Sequence, residues 1–286
     1  MNIFIIGFGD IGQRVARLER QEGRKTTALT RTPKQLPDIL FVPGDLDHPE
    51  TLKKLPTGNR LVCYFAPPAA EGTTDQRMQN WLASLKPDSL PQKIIYISTT
   101  GIYGNQDGAW VDENTPPKPQ TARAKRRLDV EQKLKRWSRT HNIPVVILRV
   151  AGIYSPEQLP VEAIRQRRPV LRPSEAPCSN RIHADDLARV CFAAAHHHTG
   201  TGVTIYNATD GQASTMTDYF HTIADTLGLP RCPEVTREEA EKLLSPTMLS
   251  YLNESRRIDN DKMLQELGIT LRYPDLAAGL AALTES

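Results

Sequence analysis

A chain of 286 residues, 39% hydrophobic and 24% charged, has room for one large domain or two ordinary ones and enough apolar content to bury a core. With 17 Gly and 22 Pro it is neither collagen-like nor compositionally disordered. A net charge of +3 is too mild to demand a polyanionic partner, so nucleic acid is not expected. The chain opens on an apolar strand, Asn2–Ile6, followed by Gly7-Phe8-Gly9-Asp10-Ile11-Gly12 and a helix over Ile11–Gln21. In such a loop the first Gly permits the sharp turn, the second lets a pyrophosphate approach the backbone, and the third lets the helix pack against the strand. Free amides at the helix start, those of Asp10 and Ile11 among them, then face phosphates. The next strand, Thr26–Leu29, runs into Thr30-Arg31-Thr32, with no carboxylate where a ribose 2′-hydroxyl would need one. Arg31, with Thr32 beside it, suits a 2′-phosphate, so NADP is preferred and NAD stays open.

Further strands are expected at Leu61–Phe65, Ile94–Ile97, Val145–Leu148 and Val203–Tyr206, nearly continuous in apolar residues as strands covered on both faces are. Helices fall between them at Asp75–Leu85, Thr121–Thr140 and Ala184–His196. Alternating strands and helices predict an α/β fold with a Rossmann-type doubly wound parallel sheet. Beyond Tyr206 the chain turns helical (Met216–Leu227, Arg237–Leu244, Asp259–Leu267), and Ser155–Pro177 is rich in proline. The division expected is a dinucleotide-binding domain over 1–154 and 181–210, and a smaller, mainly helical substrate lobe over 155–180 and 211–286.

In chain order the sequence resembles the extended branch of the short-chain dehydrogenase/reductases, the NAD(P)-dependent epimerase/dehydratase family. Besides the glycine loop, the resemblance rests on Gly44-Asp45-Leu46, Phe65-Ala66-Pro67-Pro68, Ser98-Thr99-Thr100-Gly101-Ile102-Tyr103-Gly104, Leu148-Arg149-Val150-Ala151-Gly152-Ile153-Tyr154 and Arg181-Ile182-His183. It implies that Asp45 and Leu46 meet the adenine end of the cofactor and that Ala66 and Pro67 run along it. Val150 and Ile153 then lie beside the nicotinamide, and Ser98 and Thr99 orient the reactive oxygen. The substrate implied is small and polar or anionic, a nucleotide sugar being one such molecule.

The family's Tyr-x-x-x-Lys, which places a phenol and an ammonium one helical turn apart, is absent. In one register Thr121 and Lys125 take its place; in the other, favoured by the distance from Pro119, Arg123 and Arg127 do. An arginine stays protonated, so it binds an oxyanion without shuttling its proton. Tyr103 is therefore the expected proton donor with Arg127 in the catalytic group, and Arg123, Tyr154, Arg181 and His183 are expected to contact substrate. Nine basic residues face two acidic ones between Lys118 and Arg139, and Arg165, Arg167, Arg168 and Arg172 follow in the second lobe. Such charge suits an anion or a solvated face.

His196-His197-His198 cannot chelate jointly from one helix, since adjacent residues point about 100° apart, and no metal is expected. Cys63, Cys178, Cys191 and Cys232 contain no Cys-x-x-Cys and read as reduced thiols. With no leader-like N-terminus and no apolar run of about 18 residues, a cytoplasmic protein that does not engage membrane is expected, its oligomeric state left open with a homodimer among the choices. Two functions compete: an NAD(P)-dependent oxidoreductase or epimerase/dehydratase, and a catalytically silent, NADP-sensing binding protein.

Overall fold

The computed structural model describes residues 2–198 and 200–281. Seven strands build one sheet: β1 (Ile3–Ile6), β2 (Thr26–Thr30), β3 (Ile39–Pro43), β4 (Leu61–Tyr64), β5 (Lys93–Thr99), β6 (Val145–Val150) and β7 (Val203–Ala208). Their order is β3-β2-β1-β4-β5-β6-β7, and every neighbouring pair is parallel. Chain direction across the sheet reverses between β1 and β4, the position where doubly wound sheets open a crevice at the strand ends. Helices α1 (Asp10–Gln21), α2 (Gln76–Ser84), α3 (Ala122–His141) and α4 (Ala184–His196) cover its faces, and α5 (Met216–Thr226) lies beyond them.

Strand periodicity divides the core in two. Ile3, Ile5, Ile95, Ile97, Val146 and Leu148 pack against Val15 of α1 and Leu187 and Cys191 of α4. Phe4, Ile6, Ile94, Tyr96, Val145 and Ile147 pack against Met78 and Trp81 of α2 and Val130 and Leu134 of α3. Helix ends are closed by specific donors. Thr121 caps α3 by accepting from the Ala124 amide, and Asn142 ends it in the left-handed region at φ 55°. Buried Lys93 donates Nζ to the carbonyls of Ala194, Ala195 and His197 at the end of α4, where orphan acceptors gather. In the histidine tract there, His196 Nε2 lies 2.7 Å from Glu19 Oε1 of α1.

A second lobe forms around Ile164, Val170, Tyr219, Phe220 and Ile223, extended by Leu171, Ala240 and Leu252. Two of its helices, Pro246–Leu252 and Leu276–Ala281, were not expected from periodicity. One expected boundary needs correction. The helix Asp261–Leu267, assigned to the lobe over 211–286, returns to the sheet: Met263 and Leu267 are buried in the cluster that holds Tyr206 of β7. Among the described residues, no helix is long and apolar enough to cross a membrane.

Candidate active site and dinucleotide groove

The glycine loop does three different jobs. Gly7 sits at φ +98°, and a Cβ there would come within 2.3 Å of the Ala66 amide nitrogen, so both turn and packing require glycine. A Cβ on Gly12 would meet the Gly7 carbonyl oxygen at 2.8 Å, which sets how closely α1 lies on the loop. Gly9, the cap of α1, faces open space, with no atom within 4 Å of a built Cβ. That free volume lies at the helix start, where amides without intrahelical partners favour a phosphate. Of the first-turn residues, Asp10 pairs with Arg14 at 2.9 Å and Ile11 packs against the core.

From this loop a cleft of 380 Å³ runs over the ends of β2, β3 and β4, lined by Gly7, Arg31, Thr32, Asp45, Leu46, Ala66 and Pro67. Lys34, which sequence reasoning passed over, lines it too. Asp45 shapes the turn beneath: its carboxylate accepts from the Asp47 amide and its own amide donates to Thr51 Oγ1. Asp47 is held by Arg77 through two bonds of 2.8 and 2.6 Å, and this guanidinium keeps the carboxyl below its usual range. Arg77 also donates to the Pro67 carbonyl, tying α2 to the loop after β4. The residues present fit a dinucleotide: open space at Gly9, a long cleft, and cations rather than carboxylates at the end of β2.

Pro67 belongs also to a second cleft, of 630 Å³, between the sheet's C-terminal edge and the second lobe. Its sheet wall is Thr99, Gly101, Ala151 and Gly152, and it carries five arginines, Arg123, Arg126, Arg127, Arg181 and Arg256, against one carboxylate, Glu254. Arg127 reaches back to β5, donating to the Ile97 carbonyl at 2.9 Å and the Tyr96 hydroxyl at 3.2 Å. Arg126 donates to the Gly72 carbonyl at 2.5 Å. Arg123 lies over the Tyr251 ring, its guanidinium carbon 3.8 Å from the ring centre, a contact with the helix Pro246–Leu252 of the other lobe. Arg181, only 8% exposed, stacks on Tyr219 at 3.6 Å, and its Nε has no partner. Burial pulls this guanidinium below its ordinary range. Glu254 accepts from Arg256 at 2.7 Å through Oε2, while its buried Oε1 is unpaired.

The two registers on α3 differ in exposure. Thr121 is spent as the cap and Lys125 points to solvent, whereas Arg123 and Arg127 both line the cleft.

Several expected site residues lie elsewhere. Tyr103 is wholly buried; its hydroxyl donates to Asn207 Oδ1 at 2.7 Å and accepts from Arg149 Nη1 at 2.8 Å. Burial pushes the phenol up to about 12, against the pull of Arg149. Ser98 faces α3 and donates to Glu131 Oε1 at 2.6 Å. Arg149 closes the set on Glu131 at 2.9 Å. Ser98, Arg149 and Asn207 are register partners across β5, β6 and β7, so one buried polar row replaces apolar contacts on that face. Period two explains the split between neighbours: Ser98 shares a face with Tyr96, and Thr99 falls on the opposite one.

His183 is not in the cleft either. Its Nδ1 accepts from the Asp185 amide as the cap of α4, its ring lies 4.0 Å from that of Tyr273, and burial lowers its basicity. Tyr154 is core to the second lobe, donating to the Asp275 carbonyl at 3.2 Å, with burial raising its phenol far above the usual range. At the end of β6, Val150 is in the core and Ile153 lies outside the cleft lining; the wall there is the intervening Ala151 and Gly152. Arg165, Arg167, Arg168 and Arg172 are exposed and extend no part of this cleft. Sequence reading missed Tyr251, Glu254 and Cys178 in the lining.

A family model described as NAD(P)H-binding matches residues 7–198. The structure of a functionally unknown conserved protein from Silicibacter pomeroyi superposes with a TM-score of 0.81 at 29% identity, covering 99% of this chain and 98% of that one. The UDP-glucose 4-epimerase of Thermotoga maritima, solved with UDP-glucose, superposes at 0.78 over 100% of this chain and 98% of its own. At 20% identity that likeness speaks for the fold alone. The dTDP-D-glucose 4,6-dehydratase of Mus musculus is 30% identical over 101 residues, 35% of this chain. The matched stretch spans 28% of that relative's length.

Proposed function

Since the chain belongs to the NAD(P)H-binding family and shares its fold with a UDP-glucose 4-epimerase, we propose that it is an NADP-linked enzyme acting on a small anionic substrate. The observation that carries this reading is the shared wall at Pro67, which makes the dinucleotide cleft and the arginine cleft one groove. In it, Gly7, Gly9 and Gly12 shape the pyrophosphate cradle with the Asp10 and Ile11 amides. Arg31, Thr32 and Lys34 face the 2′-phosphate, and Asp45, Leu46, Ala66 and Pro67 line the adenine-to-ribose path. The nicotinamide, when bound, supplies hydride exchange. Thr99 orients the reacting oxygen at the end of β5, and Arg123 and Arg181 hold the substrate's negative charge. Arg127 secures the β5 end rather than moving a proton. The proton-exchanging side chains along this cleft are Cys178, Tyr251 and Glu254, and the acid/base is drawn from them. A nucleotide-sugar diphosphate is one anion with matching charge.

The absence of a phenol on α3 favours a second reading, a silent NADP sensor. One experiment separates the two. NADPH oxidation and, for redox-neutral conversions that return the hydride, product formation by NMR are followed with a panel of anionic carbonyl compounds and nucleotide sugars, alongside uncharged analogues. Turnover restricted to the anions, with Arg123→Gln raising KM by ~10–100-fold for the loss of a charged hydrogen bond, supports the enzyme. Tight NADPH binding with no turnover across the panel supports the sensor.

A further inference from the structure

The second lobe holds another cavity, of 380 Å³, lined by Val170, Leu171, Phe220 and Leu244. It shares Met216, Met248 and Leu252 with the arginine cleft, so these three side chains form the partition between a charged space and an apolar one. Leu171, Phe220 and Leu252 are buried, at 2%, 7% and 5% exposure, so the walls are continuous with the lobe's core. Apart from Arg168, which is exposed at the rim, the polar side chain among the described lining residues is Ser245, and its hydroxyl already accepts from the Met248 amide as a helix cap.

On the cleft side of the partition stands Arg181. Its Nη2 touches Met216 Sδ at 3.4 Å, its Nε is unpaired, and the side chain is over nine-tenths buried. The nearby Asp210 carboxyl acts on it through space but forms no salt bridge with it, and a buried cation so placed stays costly unless an anion arrives. Met216, in contact with Arg181, sets an unbranched thioether beside an anion seated there, and such a side chain yields readily to a neighbour. Building on the enzyme reading, we infer that the substrate is an amphiphile: an anionic head on Arg181 and Arg123, and a hydrocarbon or aryl tail crossing the methionine partition into the apolar cavity. A nucleobase would find few partners for its ring heteroatoms against these walls, at the cost of burying polar atoms unpaired.

The test uses the full chain and a series of monoalkyl phosphates, from methyl through butyl and hexyl to octyl, with affinity read by calorimetry. Affinity is expected to rise by ~4-fold per methylene that enters the cavity, the equivalent of ~0.8 kcal/mol per buried CH₂. Leu244→Asp, at a half-buried position, should flatten the series while leaving methyl phosphate binding unchanged. A flat series in the unaltered protein, with headgroup binding intact, overturns the tail site and leaves the anion cleft standing. A rise that persists undiminished in Leu244→Asp puts the tail elsewhere and also overturns it. Failure of every member to bind overturns the anion cleft and the tail site together. The unaltered protein's series decides the question even if the variant does not fold.

Discussion

At the Gly7–Gly12 end of the groove the walls are backbone: a glycine turn, the start of α1 and the loop at Ala66. At the Arg123–Arg256 end they are long side chains drawn from α3, the strand Arg181–His183 and the segment after Pro246–Leu252. The first end recognises what every dinucleotide has in common, using groups that no substitution of side chain removes. The second, on the function proposed above, would select by charge, and three of its arginines are steadied by neighbours: Arg123 by Tyr251, Arg127 by the Ile97 carbonyl, Arg181 by Tyr219. A backbone site is lost by adding atoms, and a side-chain site by taking them away.

The largest effect should come from adding atoms where the protein itself does not need the space. A Cβ at Gly9 meets no atom from elsewhere in the fold within 4 Å, so Gly9→Val should fold normally. NADPH binding, measured by calorimetry, should weaken by ~100-fold or more because the pyrophosphate needs that approach. Unchanged affinity would show that the helix start is not the phosphate site.

Removing atoms at the same end should act more selectively. Arg31→Ala is expected to weaken NADPH by ~10–100-fold, the ~1.5–3 kcal/mol of a charged hydrogen bond, and to leave NADH alone. Parallel titrations with the two cofactors check this, and an equal loss for both would place Arg31 away from the 2′-phosphate.

Apart from both ends, across β5, β6 and β7, runs the buried row of Ser98, Glu131, Arg149, Tyr103 and Asn207, which belongs to neither. Tyr103→Phe deletes the hydroxyl that joins Arg149 to Asn207. It should cost ~1–3 kcal/mol in denaturant unfolding, the penalty for unpaired buried groups, with turnover and cofactor affinity preserved. A turnover defect without a stability loss would return Tyr103 to the chemistry.

The last effect appears as a slope with pH rather than as a single loss. Asp210, buried beyond the end of β7, is pushed up to about 7 by desolvation, against an ordinary value of 3.8. The unfolded chain gives up this proton near pH 4 while the folded chain keeps it, so the wild-type protein loses stability between about pH 4 and pH 7 and the loss levels off above. Asp210→Asn should remove that part of the decline, so its stability relative to wild type should climb over the same window in urea unfolding. A constant difference across the window would show that the carboxyl ionises alike in both states.

This contrast explains what was legible in the sequence. Glycine spacing after a strand states a backbone geometry almost directly, and nearly continuous apolar runs mark strands covered on both faces, so six of the seven strands, the helices between them and the dinucleotide loop could be read, while β3, a partly exposed edge strand, was not among those expected. Strand period two also carried a signal for Ser98, which shares its face with Ile94 and Tyr96 and hence points to α3. The substrate end was harder for a physical reason. Tyr251 and Glu254 join the cleft through a fold-back of the second lobe, and no local pattern records which distant segment will cover a sheet edge. Tyr103, His183 and Tyr154 have residue types suited to chemistry, yet each is consumed by a core hydrogen bond or a helix cap that only the packed chain reveals.

The return of Asp261–Leu267 to the sheet has a mechanical consequence. The second lobe is entered and left by the chain more than once, and its last exit delivers Met263 and Leu267 into the core beside Tyr206. Two short parallel ladders, Trp110–Val111 with Arg257–Ile258 and Gly152–Tyr154 with Arg181–His183, fasten these crossings. The lobe is thus sewn to the sheet rather than hung from a single hinge, and any motion that opens the groove must twist about several seams at once. A shortened chain ending before Asp261 would lose a piece of the dinucleotide domain's own interior, so roughly the last tenth of the polypeptide is required by what precedes it.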